Sequence, residues 1–143
     1  MSKLDATQVT YDGETHLLGS KDSKLIYSGL NAVNTGAVTQ ATNHSTAVTL
    51  NKQAGVITLA GVALNTNSSA EFTFNNSNIK AGSVVITGLQ AAATGRTAGA
   101  NLQVYVHTIA AGSCKVVVAN TDDENTDSAD VFAIHFMVIN SGS

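Results

Sequence analysis

The chain has 143 residues, of which 12% are charged, about half of the usual ~25%, and its formal net charge is −3. One compact domain fits this length, and seven Lys and Arg residues are too few for the basic surface that nucleic-acid binding requires. The charge is replaced by 17 Thr, 13 Ser and 13 Asn residues, which favour strands and turns and indicate no particular reaction. Weak repulsion between copies of such a chain also favours self-association.

The first 36 residues lack a long alternating run and differ from the remainder of the chain. Short apolar groups at residues 9–11, 16–18 and 25–27 lie among charged residues. Two interpretations stay open: one or two edge strands of the sandwich predicted below, or an arm that contacts a neighbouring subunit or another protein. In the second, the predicted contact residues are the apolar ones: Leu4, Val9, Tyr11, Leu25, Ile26 and Tyr27.

Neither a secretory signal nor a membrane segment is predicted. The opening residues MSKLDATQ lack a basic stretch followed by an apolar one. The longest apolar run, residues 131–139, is much shorter than the ~20 residues of a spanning helix. We therefore expect the protein to fold in the cytoplasm in which it is made.

From residue 37 onward, period-two alternation predicts seven or eight short strands, and helical periodicity is nowhere sustained. Clusters of Asn, Ser and Gly separate the strands at the spacing typical of a sandwich or jelly roll. The sequence therefore predicts an all-β, antiparallel, jelly-roll-like sandwich over residues 37–143. The predicted strands are residues 37–42, 47–50, 55–59, 70–74, 83–89, 102–109, 114–119 and 131–139.

Side-chain alternation indicates which strands are central. In the strand at 102–109, Val104 and Val106 lie on a predicted core face, and Tyr105 and His107 lie on a semi-polar face. The runs at 114–119 and 131–139 are almost continuously apolar, which predicts central strands covered on both faces. Residues 91–100 are small and predict either a loop or the close approach of another chain.

Half of the ten carboxylates lie within nine residues, a density that suits calcium. Their spacing does not match an EF-hand loop, so a solvated connection between two apolar strands is the main prediction. These residues are Asp122, Asp123, Glu124, Asp127 and Asp130.

The four histidines and the single cysteine have no spacing typical of a metal or catalytic site. His107 and His135 are predicted to form hydrogen bonds at a sheet face or subunit contact, and His44 lies in a predicted turn; His16 is the fourth. Cys114 is predicted to be a small buried side chain on a strand. The sequence predicts no catalytic residue, no metal site and no cofactor.

Residues 35–59, TGAVTQATNHSTAVTLNKQAGVITL, resemble a segment of small structural proteins of tailed bacteriophages. Residues 72–86, FTFNNSNIKAGSVVI, and residues 131–140, VFAIHFMVIN, are similar to further parts of that family. The resemblance spans residues 35–142. Members of this virion-associated β-domain family occur as capsid decoration proteins and as parts of head or tail fibres. The resemblance implies a β-sandwich that forms an oligomer, with a trimer favoured, and that has no catalytic residues.

The shortness of the chain favours decoration over a fibre, which needs an elongated shaft. The resemblance thus implies a capsid decoration or cement protein on the virion surface, with the major capsid protein and further copies of itself as partners, and no enzyme. The alternative is a receptor- or glycan-binding tip of a head or tail fibre. Sugar sites favour exposed aromatic side chains, and this chain has no Trp, three Tyr and four Phe residues.

Overall fold

The computed structural model describes residues 34–90, 101–126 and 131–140, and the backbone alone of residues 9–11 and 14–16. The chain divides into two units, Met1–Asn31 and Ala32–Ser143. In the first unit, strands β1 (Val9–Tyr11) and β2 (Glu14–His16) pair antiparallel with each other. The other four predicted contact residues, Leu4, Leu25, Ile26 and Tyr27, lie outside the described residues, as does the interval 91–100. The boundary predicted after residue 36 stays a prediction.

The second unit is an all-β sandwich of eight described strands, as predicted. Each predicted strand overlaps an observed one, and the bounds differ by at most three residues. The strands are β3 (Thr35–Thr39), β4 (Val48–Thr49), β5 (Ala54–Thr58), β6 (Ser68–Asn75), β7 (Val84–Gln90), β8 (Leu102–Ala110), β9 (Ser113–Asn120) and β10 (Ala133–Ile139).

The strands form two four-stranded sheets. Sheet I has the order β3-β5-β10-β7, and sheet II has the order β4-β6-β9-β8. From β3 to β8 the chain enters the two sheets alternately, so β5 joins β3 only after β4 has been placed in the other sheet. The pairs β3–β5 and β4–β6 are parallel, and the other four pairs of the sandwich are antiparallel, so the sandwich is mostly antiparallel. The hairpin β8–β9 turns through Ala111 and Gly112, whose φ of 86° suits glycine.

The core lies between the inner faces of the two sheets. Phe72 and Phe74 of β6 are each 1% exposed, and β10 contributes the buried Ile134 and Phe136. The rings of Phe74 and Phe136 meet edge to face with centroids 4.7 Å apart, which joins sheet II to sheet I. Burial of each such side chain stabilises the fold by about 1.5–3 kcal/mol before entropic costs are subtracted.

Strands β9 and β10 occupy central positions, as predicted, but only β9 has buried residues on both faces. Val117 points outward from β9 and is nevertheless 5% exposed, between its cross-strand neighbours Glu71 and Tyr105. On β10, His135 and Ile139 are exposed. The prediction that β10 is covered on both faces is therefore wrong, because these two side chains show that its outer face is exposed.

Strand β8 has the predicted core and semi-polar faces until it is interrupted by a bulge. Val104 and Val106 pack against the core, and Tyr105 and His107 face outward. The register with β9 shifts after His107, and Thr108 adopts a φ of 49°. The extra residue returns Ile109 to the core side of the strand.

Several buried Asn side chains form hydrogen bonds with the backbone of the loops that connect the strands. The fully buried Asn76 donates from Nδ2 to the carbonyl of Lys52 at 2.6 Å, and its Oδ1 accepts from the Asn78 amide at 2.9 Å. Asn120 donates from Nδ2 to the carbonyl oxygens of Leu64 and Asn125. Part of the unusual amide content therefore satisfies backbone groups that the strands leave unpaired.

The close pairing of β3 with β5 predicts that alanine substitutions at two glycines of sheet I have unequal effects on stability. A Cβ atom on Gly55 would lie 2.3 Å from the carbonyl oxygen of Gly36, whereas one on Gly88 would have no neighbour within 4 Å. We expect Gly55→Ala to lower the free energy of unfolding by about 2–3 kcal/mol because the clash is with backbone. Gly88→Ala is the matched control and should retain or raise stability in urea unfolding. Equal stability of the two variants would contradict this packing of β3 on β5.

Candidate functional site

The outer face of sheet II has a network of charged side chains at its centre. Glu71 of β6 accepts a hydrogen bond from Lys115 Nζ at 3.2 Å through Oε1 and lies 2.9 Å from His107 Nε2 through Oε2. Lys115 also donates to Thr73 Oγ1 at 3.0 Å. The hydrogen bond from Lys115 is the main cause that lowers the pKa of Glu71, and His107 adds to it. These side chains are about two-fifths exposed, so this face is well suited to water.

Tyr105 is the most exposed aromatic side chain of the described residues and lies beside this network. It is 52% exposed, and its ring centroid is 6.2 Å from that of His107. A shallow depression of about 350 Å³ adjoins it. The depression is lined by amide and hydroxyl side chains among others: Asn67, Ser68, Ser69, Gln103, Asn120 and Thr121.

The outer face of sheet I, called the uncharged face below, has no Asp, Glu, Lys or Arg among the outward positions of its four strands. Eight of those fourteen positions are apolar, and His135 is the one titratable side chain among them. The cross-strand register arranges them in rows across β3, β5, β10 and β7. The rows are Thr35, Ala54, Met137, Ile86; Ala37, Val56, His135, Gly88; Thr39, Thr58, Ala133, Gln90; and Ile139, Val84.

Bulky side chains are concentrated on the β7 side of the uncharged face. Val84 lies opposite Ile139, and Ile86 lies opposite Met137, so these four form a continuous apolar ridge. Val84 is 57% exposed, Ile86 51% and Ile139 43%. The ridge therefore contains three of the five large hydrophobic side chains that are exposed in the described chain.

Small side chains occupy the β3 side of the same face. Thr35, Ala37 and Ala54 line a shallow depression of about 490 Å³, together with Gly36, Gly55, Val56, His135 and Phe136. His135 Nε2 lies 2.6 Å from Gln90 Oε1, so both polar side chains are paired within the face. The predicted hydrogen bonding of His107 and His135 at sheet faces is thus confirmed.

The two outer faces therefore suit different surroundings. Sheet II presents paired ions that water solvates well, whereas the uncharged face presents a contiguous apolar ridge beside a depression. Contiguous exposed apolar surface, in contrast with scattered single residues, is typical of a protein interaction site. The uncharged face is the strongest candidate functional surface of the described sandwich.

His44 and Cys114 are buried within the fold. His44 lies in the predicted turn, is 3% exposed, and approaches the Ala60 carbonyl oxygen through Nε2 at 3.0 Å. A carbonyl oxygen only accepts, so Nε2 holds the proton. Burial lowers the pKa of His44 and raises the pKa of the Cys114 thiol to about 11. Cys114 is the small buried strand residue that was predicted.

The acidic loop uses its first carboxylate to hold its own backbone. Asp122 Oδ1 accepts from the Asn125 amide at 2.7 Å and the Glu124 amide at 3.0 Å, and these bonds lower the pKa of Asp122. Asp127 and Asp130 lie outside the described residues. Across the residues that are described, no three His, Cys, Asp or Glu side chains form a group suited to a metal ion, and no helix is long and apolar enough to cross a membrane.

None of the predicted contact residues belongs to the four strands that form the uncharged face. Val9 and Tyr11 lie on β1 of the first unit, and the other four are among residues that are not described. Sequence reasoning missed the uncharged face. Its signal was present, because outward residues such as Ala37, Val56 and Ile86 are uncharged in every strand of sheet I, but the strands had first to be assigned to one sheet.

Comparison of the chain with protein-family models, with curated proteins and with solved structures found no match. The resemblance to virion-associated β-domains of tailed bacteriophages accordingly stays a prediction.

The buried His44 predicts a pH dependence of stability. Because burial lowers its pKa from 6.5, the unfolded chain binds more protons than the folded chain, and stability falls as the pH drops below about 6.5. We expect the urea midpoint to decrease between pH 7.5 and pH 5.5 by less in His44→Gln than in the unsubstituted protein. His135→Gln, at an exposed histidine, should retain the full decrease. The same decrease in all three proteins would contradict a buried neutral His44.

Proposed function

We propose that this protein is a capsid decoration or cement protein of a tailed bacteriophage. The observation that carries the proposal is the contrast between the two faces of the sandwich. A small β-domain with one ion-paired face and one uncharged, partly apolar face is suited to packing between other proteins on a surface. The resemblance of residues 35–142 to virion-associated β-domains supports the same role.

The proposed mechanism is thermodynamic stabilisation of the head. A protein that binds the assembled shell and not its separate subunits shifts the equilibrium toward the shell. At a free concentration of about 1,000 times the dissociation constant, this linkage contributes about 4 kcal/mol for each site. Repeated placement on a symmetric shell lets many modest contacts act together. No bond is made or broken, so the role requires neither a catalytic residue nor a cofactor.

The proposed division of labour assigns shell binding to the N-terminal segment. The chain divides after Asn31, before the first strand of the sandwich begins at Thr35. Two units suit an arm that contacts the major capsid protein and a body that stands on the shell. The proposed contacts of the arm are its apolar residues: Leu4, Val9, Tyr11, Leu25, Ile26 and Tyr27.

A glycan- or receptor-binding tip domain is the second candidate, and one observation favours it. Tyr105 is exposed beside a depression lined by amide and hydroxyl side chains, an arrangement suited to stacking and hydrogen bonding with a sugar. Its stacking surface is a single aromatic ring flanked by an ion network, whereas the uncharged face is far larger. The structure therefore favours packing against protein.

The test of shell binding uses full-length variants and one deletion. We expect the triple substitution Leu25→Ser, Ile26→Ser and Tyr27→Ser to abolish co-sedimentation with undecorated phage heads. Deletion of residues 1–31 should have the same effect, and it retains the 3.0 Å hydrogen bond from Asn34 Nδ2 to Gln53 Oε1 at the start of the sandwich. Tyr105→Ser is the matched control and should bind heads normally.

The outcomes separate the candidates. Each variant is first checked for a native urea midpoint, so that lost binding reports on contacts rather than on folding. Normal head binding by the triple variant and the deletion would overturn the arm proposal. If the unsubstituted protein ignores heads but binds host cells or glycans, and Tyr105→Ser loses that binding, the tip-domain candidate is the correct one.

A further inference from the structure

We infer that the uncharged face of sheet I is the contact between two copies of this chain, which pack face to face around a twofold axis parallel to the strands. The inference rests on the described sandwich alone and does not depend on shell binding. Three features carry it: the absence of charge from the face, its shape and its size.

The first feature is the absence of charge. In a twofold contact, the same patch of both copies is buried, so a charged residue near the axis meets its own like charge. No outward position of the described strands in sheet I is charged, so such a contact buries no ion. The corresponding contact through sheet II would desolvate Glu71 and Lys115 in both copies, at a cost that their mutual attraction does not reliably offset.

The second feature is the shape of the face, which has the apolar ridge on one side and the depression on the other. A twofold axis parallel to the strands places β7 of one copy over β3 of the other, and β10 over β5. Rows at equal height then face each other, so that Ile86 lies over Thr35 of the second copy and Met137 lies over Ala54 of the second copy. The apolar ridge of each copy thus enters the small-residue depression of the other, as sheets do when they pack about 10 Å apart.

The third feature is the size of the face, which limits the strength of the contact. Two strands of five residues and two of seven give a flat footprint of about 380 Å² per copy. This is smaller than the ~800 Å² per partner of a standard stable interface. We therefore expect a reversible dimer with a micromolar dissociation constant, and not an obligate one. The twofold geometry also makes the solution species a dimer, in contrast to the trimer that the phage resemblance implies.

The experiment measures oligomeric state in full-length protein by sedimentation velocity from low micromolar to near-millimolar concentration. We expect the unsubstituted protein to change from monomer to dimer over this range. Ile86→Lys places a charge on the ridge and should raise the dissociation constant on the order of 100-fold or more. Tyr105→Lys is the matched control, an equally exposed hydrophobic side chain on sheet II, and should dimerise normally.

A charge pair tests the proposed register. On its own, the Thr35→Glu variant should also fail to dimerise, because the substitution places a carboxylate under the ridge of the second copy. An equimolar mixture of Ile86→Lys and Thr35→Glu should form a heterodimer, since one of its two Ile86–Thr35 contacts becomes a Lys–Glu pair and the other stays unsubstituted. Urea midpoints close to that of the unsubstituted protein establish that both variants are folded.

Four results would overturn the inference. They are an unsubstituted protein that stays monomeric throughout, one that forms a trimer, a dimer that Ile86→Lys leaves intact, and a mixture of the two charged variants that stays monomeric. A monomer whose Ile86→Lys variant loses binding to phage heads would assign the uncharged face to the shell instead.

Discussion

The edge-to-face contact between Phe74 and Phe136 joins the two sheets, and the remainder of the structure depends on this packing. Side chains alternate along a strand, so once Phe74 of β6 and Phe136 of β10 point inward, the residues next to them on these two strands must point outward. The uncharged face of sheet I and the ion-paired outer face of sheet II both follow from this inward orientation of the two rings. A register slip of one residue in β10 would bury His135 and expose Ile134, so the core and the outer surface are specified together.

Much of this fold could be predicted from alternation and turn residues. The all-β class, eight strands and the inward set of Val104 and Val106 were predicted, because a half-buried strand shows its two faces in its sequence. The two parallel pairs could not be, because alternation does not tell which sheet a strand enters. For the same reason, the sequence predicted that β10 is covered on both faces. His135, Met137 and Ile139 lie on an outer surface that is apolar enough to resemble a core in the sequence.

The candidate surface was even less accessible to the sequence. Its outward residues come from four strands spread between Thr35 and Ile139, and only the sheet order β3-β5-β10-β7 brings them together. The low charge of the chain predicted association, and the structure shows that the outward strand positions of sheet I carry no charge. Sheet II retains Glu71 and Lys115 in a paired, solvated cluster, whereas sheet I combines a ridge with a depression. The weak pairwise packing that we propose for this face suits the proposed role of many copies on one surface.

Hydroxyl-radical footprinting of the concentrated protein tests the central claim most directly, because the two faces provide internal reporters in one chain. Met137 lies on the uncharged face and Tyr105 lies on sheet II, and both side chains react readily with radicals. We expect oxidation of Met137 to slow as the protein concentration rises, while modification of Tyr105 stays constant. Slower modification of Tyr105 with unchanged oxidation of Met137 would show that copies meet through the ion-paired face and would contradict the account.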